Sequence, residues 1–286
     1  MKTEYTCPAP AKINWFLHIT GKREDGYHNL STLFQFIDLQ DELTFKPIDT
    51  HEVRLSGDLS GVIAEKNLVY KAAQALIQEN NNVLPCGIEI DIQKNIPSGA
   101  GLGGGSSDAA TTLLMLNKIW QLNYSNAKLR QIGQRLGADV PVFVNGLNAF
   151  ATGIGEVLNE HKMSERTLLL ALPTACHIST PKMFADKTLK RDSEILTPAS
   201  YQFTKSRNDF QPIVTKLYPQ VAKTLQWLLE YAPSRLTGTG ACCFALVENT
   251  SEAKKVAAMA PEDIYTFVVN TLKTSPVHLK IAEQFS

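Results

Sequence analysis

Apolar positions recur along the chain with two periods. Residues 12–19, KINWFLHI, alternate: Ile13, Trp15, Leu17 and Ile19 share one face, and Lys12, Asn14, Phe16 and His18 the other. That pattern predicts a half-buried antiparallel strand. Turn chemistry follows in GKREDG, tightest at Asp25-Gly26, before LSTLFQFIDL and then DELTFK return as two further strands. The period lengthens in NLVYKAAQALIQE, where Leu68, Ala72, Ala75 and Leu76 fall at helical spacing. GIEIDI alternates again as a strand, and SSDAATTLLMLNKIW carries Ala109, Leu113, Leu116 and Trp120 on one helical face. SNAKLRQIGQRLGADVPVFV adds a helix stopped at Gly137.

Beyond about residue 160 the rhythm changes. RTLLLALP, CCFALVE and YTFVVN read as strands, and TPKMFADKTL, NDFQPIVTKLY, PQVAKTLQWLLEYA and SEAKKVAAMA as helices. The order is neither a strict βαβ alternation nor separate blocks, which predicts an α+β protein with a second layered unit. The polar stretch NEHKMSER, residues 159–166, marks the expected division into domains 1–160 and 161–286.

Between the strand GIEIDI and its following helix lies IPSGAGLGGGSSDAA, residues 96–110. Five glycines fall between Gly99 and Gly105, with only Ala100 and Leu102 among them. Ordering glycine costs more backbone entropy than ordering any other residue, so a simple turn would not require so many. Gly99, Gly101 and Gly104 satisfy G-x-G-x-x-G, but Pro97 intervenes after the strand and the next element is another helix, not the strand a dinucleotide fold needs. The Walker loop also fails, because Gly105 stands where its lysine belongs. What remains is an anion site of bare main-chain N–H groups feeding a helix N-terminus, where Ser106, Ser107 and Asp108 suit the first turn.

Composition narrows the partners. Lysine plus arginine equals aspartate plus glutamate at 28 each, so no broad basic surface is available and nucleic acid is not an expected partner. No window approaches the roughly 18 apolar residues of a membrane span, and MKTEYTCPAPAKINWF lacks a signal-like apolar run, so a cytoplasmic protein with no membrane partner is expected. The five cysteines and six histidines are scattered without metal-ligand spacing. Reduced, mostly buried thiols follow, and any divalent ion is expected to arrive with phosphates.

Several residues admit two readings. Asp139 is a lone carboxylate in LGADVPVFV; it caps a new short helix, or it is a general base held ionised by a nearby cation. Lys12 is that cation or an ordinary exposed strand lysine. Tyr27 and His28 in DGYH offer a stacking ring and an imidazole to a base, or form the shoulder of a hairpin. LTGTGACCF, residues 236–244, is a bulge entering a strand or main chain approaching a ligand, and Cys242 and Cys243 within it read as small apolar residues.

Taken together, PAKINWFLHITGKREDGYH, PSGAGLGGGSSDAA and LTGTGACCF resemble, in order and separation, the three signature motifs of the galactokinase, homoserine kinase, mevalonate kinase and phosphomevalonate kinase (GHMP kinase) superfamily. With GKREDGYH after AKIN, the first motif is similar to that of the branch acting on a cytidine diphosphate-linked polyol, and the similarity runs nearly end to end. The resemblance implies an N-terminal ribosomal protein S5 domain 2-like unit and a C-terminal ferredoxin-like unit, with both substrates in the cleft between them. ATP is the implied co-substrate. Its phosphates would be wrapped by Pro97, Ser98, Gly99, Ala100, Gly101, Leu102, Gly103, Gly104, Gly105, Ser106 and Ser107, with Lys94 beside the adenine pocket. Asp139 and Lys12 match the catalytic pair. Asn14, Tyr27, His28 and Phe184 match the cytidine and polyol contacts, Tyr27 and Phe184 sandwiching the cytosine. The superfamily's magnesium-binding glutamate has no counterpart here, so Mg2+ is expected to ride on the phosphates, touching Ser106 or Ser107. Tyr27 and His28 argue against another small-alcohol kinase of the superfamily, and the presence of both Lys12 and Asp139 argues against a catalytically silent nucleotide sensor.

Overall fold

A computed structural model describes residues 3–59 and 61–286 of the chain. Strands β1 (Tyr5–Lys22), β2 (His28–Ile48) and β3 (Val53–Gly57) precede helix α1 (Leu68–Glu79), strand β4 (Gly87–Gln93) and helix α2 (Gly104–Ile119). Helices α3 (Asn126–Leu136) and α4 (Val140–Asn145) lead to strands β5 (Ala149–Thr152) and β6 (Val157–Glu160). The remainder runs β7 (Thr167–Pro173), α5 (Thr180–Ala185), α6 (Gln211–Leu217) and α7 (Pro219–Leu229). It closes with β8 (Ser234–Leu236), β9 (Cys243–Leu246), α8 (Thr250–Ala257), β10 (Ile264–Asn270) and α9 (Val277–Phe285).

β2 is the spine of the first sheet, whose order is β3-β4-β2-β5-β6 with β1 also paired to β2. The second sheet, β10-β7-β9-β8, is antiparallel throughout. LSTLFQFIDL and DELTFK are one strand, not two. The polar residues between them resemble a turn, but pairing with β1 continues through Gln40↔Pro10 and Asp41↔Ala9 and carries the chain straight. The expectation that residues 12–19 are half-buried is also corrected: Lys12, Asn14, Phe16 and His18 are buried along with Ile13, Trp15, Leu17 and Ile19. Leu17 and Ile19 pack with the second sheet's core around Phe210 and Leu236, while Lys12 and Asn14 face an internal cleft.

Helix α2 is buried on nearly every side, from Ser107 to Asn117, against β1, β2, α1, α3 and α4. Its Thr112 Oγ1 donates back to the Asp108 carbonyl (2.8 Å), so the hydroxyl is satisfied without water. The last helix, α9, returns to this layer, where Val277 and Ile281 join the core around Leu113 and Leu116. No helix among the described residues is long and apolar enough to cross a membrane.

The glycine loop owes its shape to an alternation. Gly99, Gly101 and Gly103 hold φ of 69°, 79° and 78°, while Ala100 and Leu102 between them are buried and anchor the loop to the core. A side chain at Gly101 would be strained by that φ and would bring its Cβ to 2.5 Å from the Thr237 carbonyl oxygen. At Gly105 an added Cβ meets only Leu68 Cδ1, at 3.5 Å. Gly101→Ala should therefore lower the thermal midpoint by about 5 °C or more, and Gly105→Ala should leave it within about 2 °C, as thermal unfolding of both variants would show.

Candidate active site

Three segments distant in sequence meet through two main-chain bonds and one from main chain to side chain. The Lys12 amide donates to the Leu102 carbonyl (3.0 Å), the Cys242 amide to the Ala100 carbonyl (3.1 Å), and the Asn14 amide to Thr237 Oγ1 (2.9 Å). LTGTGACCF is thus a close backbone approach whose immediate partner is the glycine loop, and Gly238 and Thr239 reach the cavity wall. Beside them, burial pushes the Cys242 thiol up to about 12, which leaves it a packing group. The convergence encloses a cavity of about 570 Å³, ample for a nucleotide-sized ligand.

Lys12 lies on the floor of this cavity, 2% exposed. Its ammonium is 2.7 Å from Asn14 Oδ1, 3.2 Å from the Gly101 carbonyl oxygen, and 3.2 Å from Asp139 Oδ2. An ammonium removed from water without such partners would cost several kcal/mol. Asp139 does occupy the N-cap position of α4, yet its side chain caps nothing and turns to Lys12 instead. Of the two readings of this carboxylate, the side chain follows the one that pairs it with a cation. It remains partly exposed, open to a ligand proton.

Residues 97–106 form one wall. α2 opens at Gly104 with Gly103 in the left-handed region at its N-cap and no side-chain cap, two residues ahead of SSDAATTLLMLNKIW, so Ser106 and Ser107 lie in its first turn but do not cap it. Its first intrahelical bond runs from the Ser107 amide to the Gly103 carbonyl (2.9 Å), so the amides of the opening turn precede the ladder and present donors and the helix dipole to the cavity. Ser107 itself turns away. It is fully buried, its hydroxyl donates to the Pro10 carbonyl (2.6 Å), and it is absent from the cavity wall.

Lys94 also lines the cavity, held between two carboxylates: its ammonium contacts Asp41 Oδ2 and lies 2.7 Å from Asp108 Oδ2. Asp41 Oδ1 accepts the amides of Asn95 (2.6 Å) and Ile96 (2.8 Å), so this acid hooks the stem of the glycine loop to β2. Burial would lower the Lys94 pKa, but Asp108 and Asp41 more than offset it and hold it above the ordinary value. Asp108 Oδ1 is buried and has no hydrogen-bond partner among the described residues. Sequence reading passed over Asp41 and took Asp108 only as a residue of the helix start. Asp41 had a signal, since it falls in phase with the buried Leu43 and Phe45 on β2.

Phe184 reaches the wall, but Tyr27 and His28 do not. Tyr27 is 60% exposed on the hairpin shoulder, whereas His28 is buried with its ring against Phe184, centroids 5.1 Å apart. Arg191 and Thr180 also stand at this end without any sequence signal to announce them, and Thr239 comes from the LTGTGACCF segment: Arg191 bonds His28, and the two threonine hydroxyls, both on the wall, are 2.8 Å apart.

Residues 67–147 match the GHMP kinases N terminal domain and residues 185–265 the GHMP kinases C terminal domain. The chain is 49% identical over 277 residues to a 4-diphosphocytidyl-2-C-methyl-D-erythritol kinase of Shewanella halifaxensis, with 96% of each protein covered. Its counterpart of the same name in Shewanella pealeana is 50% identical over 96% of each chain. Among solved structures, a 4-(cytidine 5'-diphospho)-2C-methyl-D-erythritol kinase superposes with a TM-score of 0.79 at 28% identity, covering 93% of this chain and 98% of its own. A Methanococcus jannaschii mevalonate kinase shares the fold alone, with a TM-score of 0.71 at 15% identity over 94% and 98% of the two chains.

The buried acid pair predicts a pH signature. Burial, opposed in part by Lys94, raises the Asp108 carboxyl from 3.8 to about 7. An acid that holds its proton more tightly when folded stabilises the fold fully below its unfolded pKa, and that contribution is lost as pH rises through the folded pKa. Relative to Asp108→Asn, the wild type should lose stability between about pH 4 and 7, the difference in thermal midpoint shifting by about 5 °C or more against the wild type. Parallel melts across that range measure it; a constant gap would mean that the acid is ionised throughout.

Proposed function

The chain belongs to the GHMP kinase family, and from that premise we propose that it transfers the γ-phosphoryl group of ATP to the 2-hydroxyl of 4-diphosphocytidyl-2-C-methyl-D-erythritol, a step of non-mevalonate isoprenoid synthesis. The observation that carries this reading is the Lys12–Asp139 pair, 3.2 Å apart on the floor of a cavity walled by the glycine loop. The loop and the amides opening α2 grip the triphosphate, and Lys94 stands at the adenine end. Asn14, His28, Phe184 and Tyr27 receive the cytidine-linked acceptor. Residues 1–160 supply the nucleotide grip together with Asn14, Tyr27 and His28 of the acceptor side, and residues 161–286 add Phe184, with α9 returning to the first part.

Asp139 accepts the proton as the acceptor oxygen bonds the γ-phosphorus and the bridge to the β-phosphate breaks, releasing ADP. Because the transition state is loose, positioning and charge stabilisation by the loop amides and Lys12 supply most of the acceleration. The Lys12 ammonium, fixed by Asn14 and the Gly101 carbonyl, orients Asp139 and faces the transferring group. No group of three or more His, Cys, Asp or Glu side chains among the described residues could hold a metal; magnesium would enter on the ATP phosphates. There it would neutralise phosphate charge. Ser106 is the hydroxyl left to meet it, since that of Ser107 is spent on Pro10.

ADP release with ATP and a panel of alcohols should be fast with 4-diphosphocytidyl-2-C-methyl-D-erythritol and slow with mevalonate or homoserine; the reverse order would remove the acceptor assignment. Asp139→Asn should cut kcat by about 10²-fold or more with little change in KM. Near-normal turnover would take the proton-accepting role from this residue.

A further inference from the structure

Arg191 ties together two residues that no motif connects to it. Its guanidinium donates from Nε to His28 Nε2 (3.0 Å) and from Nη1 to the Leu189 carbonyl (2.9 Å). Nη2 donates to the carbonyls of Phe184 (3.1 Å) and Asp186 (2.7 Å). One side chain therefore fixes both the His28 imidazole and the main chain that carries the Phe184 ring tilted against it.

Hydrogen-bond chemistry leaves His28 a single state. A guanidinium has only donors, so the imidazole nitrogen it meets must offer a lone pair; a neutral ring with an accepting Nε2 carries its hydrogen on Nδ1. An imidazolium would set two N–H groups against each other. Burial, with the positive charges of Arg191 and Lys22, acts in the same direction by holding the His28 pKa below its ordinary 6.5. Among the described residues no hydrogen bond to Nδ1 is formed, and although His28 itself stands behind the wall its ring lies against Phe184, which lines the cavity.

We propose that Arg191 is a positioning residue that fixes His28 as a neutral Nδ1–H donor and so selects cytosine over uracil, a role that rests on the cytidine reading of the acceptor. A permanent donor matches the N3 acceptor of cytosine and opposes the N3–H of uracil, the O2 acceptor being common to both bases. An imidazole free to move its hydrogen to Nε2 would offer Nδ1 as a lone pair and accept uracil too.

Two readouts test this role. In protein carrying 15N-histidine, two-bond proton–nitrogen spectra near neutral pH report the tautomer, with His28 identified by its loss in His28→Gln. The wild type should show Nδ1 protonated and Nε2 bare, and Arg191→Met should release that preference. In parallel, CMP and UMP are compared as inhibitors of ATP-dependent turnover. The wild type should favour CMP, and Arg191→Met should lower the CMP-to-UMP ratio by about 10-fold or more while the KM for ATP stays within about twofold. Arg191→Lys, which keeps a donor for Nε2, should recover part of the ratio. An Nε2–H tautomer in the wild type, or an unchanged ratio in folded Arg191→Met, would overturn the role. A fixed Nδ1–H tautomer without any CMP inhibition would instead sink the cytidine reading, and the base selectivity with it. If Arg191→Met fails to fold, the wild-type spectrum and Arg191→Lys decide.

Discussion

The site depends on main chain meeting main chain. Its glycine loop is clamped between β1, through the Lys12 amide and the Leu102 carbonyl, and the second glycine cluster, through the Cys242 amide and the Ala100 carbonyl. Contacts at about 3 Å between backbones leave no room for side chains, and Gly101 and Gly238 face one another across this seam. Ala100 and Leu102 point the other way, into the core, so the loop is rigid without being bulky. Rigidity matters for phosphoryl transfer, where preorganised donors stabilise charge without having to reorganise during the reaction.

Charge follows the same economy. Lys12 meets Asp139 and Asn14, Lys94 meets Asp41 and Asp108, and Arg191 meets carbonyls and an imidazole. Such buried networks are weak contributors to net stability, because desolvation consumes much of the attraction, but they tolerate few alternative geometries. Asp41 illustrates the linkage of fold to site. One carboxylate joins β2 to the stem of the glycine loop through two amides and holds Lys94 at the cavity wall.

Local patterns in the chain announced much of this. Leu68, Ala72 and Leu76 specified α1, and Asn67 caps it as such a residue should, its side chain accepting the Val69 amide. Five glycines around Ala100 and Leu102 announced a bare loop ahead of a helix. The lone carboxylate of LGADVPVFV required company, and Lys12 supplied it. Other features had no local pattern strong enough to read. β5 and β6 are four residues each, too short for a period to stand out, and α9 escaped because its apolar residues answer to a core built by the opposite end of the chain.

What the sequence determined by itself were therefore the properties set within a few residues: helical faces, turn and glycine conformations, and the demand of an isolated charge for a partner. Tertiary structure decided which partner answered. The long register of β1 on β2 and the seam between the two glycine clusters set Lys12 against Asp139, Lys94 between Asp41 and Asp108, and Arg191 against His28. Those meetings arise from strand pairing and packing across large sequence separations, and no short window of the chain encodes the distance between its ends.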